Sequence, residues 1–204
     1  MMLPPAHRIA RHNYPTRTAS FAYAFVVMAA LWIERGRVSP WEVALAAFIF
    51  LAYPHLAFVH ARIAQQSKQA ELNNLYADCV LLGLWVAQIH FALWPALGIL
   101  GAVCLNAAGH GHVRRLVISL ALFGTSAGIW SLVTGASFRP DTGPMVTIAS
   151  AMGILAYVSV VGTLVHTQNQ TLVKARAALE AADSVQLPFP DLTGSGQNPA
   201  RDQN

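Results

Sequence analysis

The hydrophobic pattern of the chain consists of six long apolar stretches separated by short polar segments, at 18–33, 40–59, 72–91, 95–111, 116–133 and 145–165. A helix needs about 20 predominantly apolar residues to cross the hydrocarbon core of a bilayer. The pattern therefore predicts an all-α integral membrane protein, a six-transmembrane-helix bundle. The fourth stretch contains Gly98, Gly101, Gly109 and Gly111, so a re-entrant segment is the alternative there. The third holds Asn74 and Asp78, which follow Glu71 at helical spacing, the most informative departure from the pattern.

Polar segments flank the bundle. Residues 1–17 form a basic leader, and residues 166–182 read as a cytoplasmic helical extension. Leu172, Ala175, Leu179 and Ala182 follow one another there at 3-4-3 spacing, which fits either a coiled-coil stub or a solvated juxtamembrane helix. Residues 183–204 are rich in Pro, Gly, Asp, Gln and Asn, and the composition predicts a disordered tail. A signal peptide is the competing reading of the first stretch, but Glu34, Arg35 and Gly36 follow it without a clear small-residue cleavage site.

Composition agrees with the pattern, because 55% hydrophobic residues and only 11% charged ones leave too little polar material to cover a soluble surface. Charge gives the orientation. Arg8, Arg11, Arg17, Arg62, Lys68, Arg114, Arg115, Lys174 and Arg176 flank one side, whereas Arg35, Arg37 and Arg139 flank the other. The positive-inside rule then places both termini in the cytoplasm. Trp32, Trp41, Trp94 and Trp130 fall at the outer ends of the stretches, where indoles favour the headgroup region. The basic balance is thus a membrane-flanking feature and no warrant for nucleic-acid binding.

A carboxylate at the centre of a membrane helix costs about 2.5 to 3.5 kcal/mol on insertion scales, so such groups usually face a protein interior and often mark function. Asp78 lies roughly 10 Å into its helix from the cytoplasmic end. His55, Asn106 and Glu71 are expected at similar or shallower inner depth, and Pro54 beside His55 frees the Phe50 carbonyl. His55, Glu71, Asn74, Asp78 and Asn106 are the candidate sensing residues. For His55 and Asp78 the plainer reading is an interhelical hydrogen bond that fixes packing.

Other chemistry is weaker. His55 and His60 are five apart, off one helical face, and His110 and His112 flank a glycine. A haem or metal site from His55, His110 and His166 is the low-ranked alternative; no cofactor is expected. Cys79 and Cys104 share a depth and read as buried packing residues. Gly124 and Gly128 form a GxxxG, usable inside the bundle or in a homodimer. Walker, Rossmann, nucleophile-elbow and HExxH signatures are absent from the sequence, so the chain reads as non-enzymatic. A small transporter ranks last, since the outer halves offer only Gln88 and His90.

The run Tyr53-Pro54-His55-Leu56-Ala57, then Ala61-Arg62, then Ala70-Glu71-Leu72-Asn73-Asn74-Leu75 with Asp78, then Trp85 and Phe91 through Leu93 to Pro95, resembles the second class of bacterial membrane-associated sensor (MASE) domains. Tyr14-Pro15-x-Arg17 fits the same pattern. The resemblance implies an input module placed before diguanylate or adenylate/guanylate cyclase domains, with His55, Glu71, Asn74, Asp78 and Asn106 as motif positions. Ala92 stands where the family often has Asn, and His110-Gly111 replaces a more usual glycine pair. No cyclase sequence follows residue 182. The implied partners are the bilayer and a cyclase output domain, in cis or in trans.

Overall fold

A computed structural model describes residues 8–36, 38–109 and 113–185, and every regular element among them is helical. The helices are α1 (Arg8–Arg35), α2 (Pro40–Ala47), α3 (Tyr53–Ile63), α4 (Ser67–Gln88), α5 (Leu93–Gly109), α6 (Val113–Thr134) and α7 (Pro144–Val185). The chain divides into two compact units, Met1–Val161 and Gly162–Asn204. The second unit contributes the last part of α7 to the description. The expected tail lies outside the described residues from 186 onward, and 183–185 are helical.

Four helical stretches are long and apolar enough to cross a membrane: Asn13–Arg35, Pro40–Ile63, Val113–Thr134 and Pro144–Ala181. The helix Leu93–Gly109 is apolar but shorter. The third expected span corresponds to α4, whose first half carries Lys68, Glu71, Asn73, Asn74 and Asp78. Its polarity is compatible with its location, because α4 packs against α1, α3, α5 and α6 and its buried residues are Ala70, Glu71, Asn74, Asp78, Cys79, Leu82, Gly83, Trp85, Val86 and Ala87. A helix enclosed by other helices can bury polar groups against partners instead of against lipid.

Local chemistry explains the breaks. Gly36 stops α1 with φ +61°, a conformation that costs a glycine little. The chain between α2 and α3 does not leave the helix. It widens into a π turn at Phe48–Ala52, where the Tyr53 N–H donates to the Phe48 carbonyl five residues back. Pro54, which lacks an N–H, follows at once. The turn between α4 and α5 falls at residues 89–92. His90 and Phe91 both adopt positive φ there, at 58° and 57°. The loop before α7 holds this turn through Arg139 N–H to the His90 carbonyl (2.9 Å) and Leu93 N–H to the Pro140 carbonyl (3.0 Å).

The apolar core lies midway along α4, where Leu82, Trp85 and Val86 join Phe21, Val27, Met28, Leu31 and Phe50. Phe50 meets the Trp85 ring edge-on at 5.2 Å. Polar networks lie beyond it on both sides. The one at the C-terminal end of α4 links Glu42, Gln88 and Trp130: the Gln88 amide donates to Glu42 Oε1 (3.0 Å), and Trp130 Nε1 donates to Gln88 Oε1 (3.0 Å). The Gly124 and Gly128 pair is exposed, with nothing within 4 Å of where a Cβ would stand, so α6 does not use it for packing among the described residues.

Candidate functional site

The other network is a buried charge cluster centred on Arg17. Its guanidinium reaches two carboxylates of α4 that are seven residues apart and so share one face of the helix. Nε donates to Asp78 Oδ2 at 2.9 Å. Nη2 lies 2.9 Å from Glu71 Oε1, an ion pair not aligned as a hydrogen bond, and Nη1 donates to Oε2 at 3.4 Å. Glu71 is fully enclosed, and Asp78 and Arg17 are only 6% and 7% exposed.

Three more side chains complete the carboxylate shell and its surroundings. Tyr53, the first residue after the π turn, donates its hydroxyl to Asp78 Oδ1 at 2.8 Å. Asn13, one turn before Arg17 on α1, donates to Glu71 Oε1 at 3.1 Å. All four carboxylate oxygens thus face a donor. Two carboxylates share one guanidinium, so with both acids ionised the trio carries a net negative charge. A buried pair of this kind is held by its hydrogen bonds as much as by Coulomb attraction.

The third side chain, Asn74, ties α4 to α3. Its amide nitrogen donates to the Ala57 carbonyl at 2.7 Å, so its oxygen is left to accept from His60 Nδ1 at 2.9 Å. That arrangement puts a proton on Nδ1 of His60. His55 is exposed and shares a 2.8 Å hydrogen bond with the Tyr14 hydroxyl, while Tyr14 stacks on Phe58 at 4.3 Å. Both contacts join α1 to α3.

The expected residues are therefore brought together only in part. Glu71 and Asp78 meet through Arg17, and Asn74 lies on the same helix face between them. His55 stands at the neighbouring α1–α3 contact. Asn106 accepts from the Tyr157 hydroxyl of α7 at 3.0 Å, an α5–α7 link instead of a member of the carboxylate shell. Arg17, Tyr53, Asn13 and His60 were not among the candidates. Arg17 counted as a flanking leader charge, yet α1 starts at Arg8 and encloses it. Its signal was the Tyr14-Pro15-x-Arg17 motif together with two buried acids that call for a cation.

Of the weakly ranked metal set, His55 is engaged with Tyr14, His166 bonds Gln170 at 2.9 Å, and His110 lies outside the described residues. Among the described residues no group of three or more His, Cys, Asp or Glu is arranged to hold a metal ion. Both cysteines are free, and the Cys79 thiol donates to the Leu75 carbonyl at 3.1 Å.

Removing the phenol oxygen isolates one of these bonds. Tyr53→Phe is expected to lower stability by about 1.5 to 3 kcal/mol, the range for a hydrogen bond to a charged group. Thermal unfolding in detergent measures it; an unchanged midpoint would mean that the Tyr53–Asp78 bond contributes nothing.

Long apolar helices gathered around a polar, charge-bearing one fit a membrane-associated domain. More narrowly, residues 12–101 match the family model of the MASE2 domain. The matched segment contains Asn13, Arg17, Tyr53, His55, His60, Glu71, Asn74 and Asp78, but not Asn106. The chain is 28% identical over 138 residues to the probable diguanylate cyclase DgcC of Escherichia coli strain K12, a region covering 68% of this chain and 37% of that protein. The protein of the same name from E. coli O6:H1 gives the same figures. The chain thus spans little more than a third of the length of these curated relatives. No solved structure matches it.

Proposed function

We propose that this chain is a non-enzymatic sensory input module of the bacterial inner membrane that passes a membrane-available stimulus to a cyclic-nucleotide-synthesising output domain. The buried cluster of Arg17, Glu71, Asp78 and Tyr53 carries this reading. It lies inside the segment that matches the MASE2 model, and the relatives similar over 138 residues are named as probable diguanylate cyclases. The output is cyclic di-GMP or cAMP synthesis by a cyclase domain, in cis as the relatives suggest or in trans.

Six spans with both termini cytoplasmic best accommodate the helices. Four qualify by length and hydropathy, α5 is apolar, and α4 is enclosed by its neighbours. In this topology Arg17, Glu71 and Asp78 lie toward the cytoplasm, and Glu42, Gln88 and Trp130 toward the outside. A sensor needs two states that a stimulus stabilises differently. A shared guanidinium supplies them, because weakening its hold on one carboxylate strengthens its hold on the other and shifts α1 against α4. The outward Gly124–Gly128 face suits close approach of a second copy. A transporter fits less well, since the apolar residues around Trp85 separate the two polar layers.

Fusion of the chain to a diguanylate cyclase domain tests the proposal. Asp78→Asn and His55→Ala are expected to change cyclic di-GMP output severalfold in either direction while leaving membrane insertion intact. Unchanged output from both would refute the sensing role. A stoichiometric haem or transition metal in the purified protein, lost in the His55→Ala and His166→Ala variants, would favour the redox alternative instead.

A further inference from the structure

Glu34 grips the start of α7. Its carboxylate accepts from the backbone N–H groups of Gly143 (2.9 Å), Met145 (2.7 Å) and Val146 (3.1 Å). Pro144, between them, has no N–H to offer. First-turn amides have no acceptor within their own helix, and a negative charge suits this end of the helix dipole. The fit is close: a Cβ on Gly143 would stand 2.5 to 2.6 Å from the Glu34 carboxylate atoms.

The hold is repeated lower down. Tyr23, also on α1, donates its hydroxyl to the Ala149 carbonyl at 2.7 Å, and its ring occupies the space a Cβ on Gly153 would need. One face of this part of α7 is open, with Ile148, Met152, Leu155 and Val158 each more than half exposed, while Tyr157 bonds Asn106 of α5. Arg35, beside Glu34, turns away to the Ile89 carbonyl at 3.0 Å and leaves the carboxylate to the α7 amides.

Both ends of α1 are therefore committed to polar contacts. Arg17 near one end holds the α4 carboxylates, and Glu34 at the other holds α7, about 25 Å away along one helix. We propose that α1 is a connecting rod: the state of the Arg17 cluster sets the position of α1, and Glu34 passes that position to the first turn of α7. This rests on the sensory reading above, but its test does not require an output domain.

Amide exchange of Met145 and Val146, followed by NMR or mass spectrometry on the 204-residue chain in lipid nanodiscs, reads the grip directly. Glu34→Ala is expected to speed exchange at these two amides about fivefold to tenfold, the loss that removal of a helix-capping acceptor brings. Glu34→Gln keeps an acceptor oxygen and should fall between, which covers the case of a poorly folding alanine variant. Asp78→Asn, at the other end of the proposed rod, is expected to change exchange at the same amides. If neither Glu34 variant alters it, there is no clasp. If the Glu34 variants act but Asp78→Asn does not, the clasp is passive and the rod is refuted, whatever a fused cyclase reports.

Discussion

Arg17→Ala is expected to leave little folded protein. The substitution strips the guanidinium from two carboxylates that are at least 94% buried. Breaking a buried ion pair by deleting one partner costs about 3 to 5 kcal/mol, and here one deletion affects two acids at once. Against a typical total stability of about 5 to 15 kcal/mol, that is enough to deplete the native state. The cause is separable from lost packing. Arg17→Met keeps much of the side-chain volume and should be nearly as damaging, whereas the triple variant Arg17→Met, Glu71→Gln, Asp78→Asn removes every charge and should recover most of the loss. Arg17→Lys should rescue only partly, because a single ammonium cannot match a fork that reaches both carboxylates. Unfolding midpoints in detergent compare the four variants. An Arg17→Met protein as stable as the parent would show that the acids are not held by this cation.

The second large effect is steric. Gly83→Ala is expected to destabilise by about 1 to 3 kcal/mol, the usual range for overpacking a filled interior, and the upper end is the better expectation. A Cβ on Gly83 would overlap both Ser126 Oγ and the Phe123 carbonyl oxygen. The hydroxyl can be removed, so Ser126→Gly should return part of the loss. The carbonyl belongs to the backbone of α6 and cannot step aside without moving the helix. Gly101→Ala, Gly124→Ala and Gly128→Ala are the controls, since nothing lies within 4 Å of a Cβ at those sites. Each should be neutral or gain up to about 1 kcal/mol from the better helix propensity of alanine. Equal losses at Gly83 and Gly124, compared by thermal unfolding, would argue against the close α4–α6 approach.

Much of this architecture was legible from hydropathy. The helices follow the apolar stretches, and the acids of the third mark its enclosed side. Periodicity could place Glu71, Asn74 and Asp78 on one face because the face is a property of a single helix. Their partners come from chain segments 54 to 61 residues earlier for Arg17 and 58 for Asn13, and no local pattern encodes that closure. Arg17 was obscured by its neighbours, since Arg8 and Arg11 beside it make a conventional flanking run. Tyr53 needed the π turn, which shifts the register of α3 and is not written in hydrophobic spacing. Asn106 failed differently: its depth suited the cluster, but α5 presents it to Tyr157. Depth alone fixes a layer and leaves the direction around the helix open.

Leu82, Trp85 and Val86 of α4 are buried together with Phe50 and Met28 between Asp78 and Gln88. In the proposed orientation this layer is electrical insulation. Ionised groups below it respond to the cytoplasmic side without giving protons or metal ions a conducting route through the bilayer. Cells can therefore keep many copies of such a protein in an energised membrane without dissipating the voltage across it.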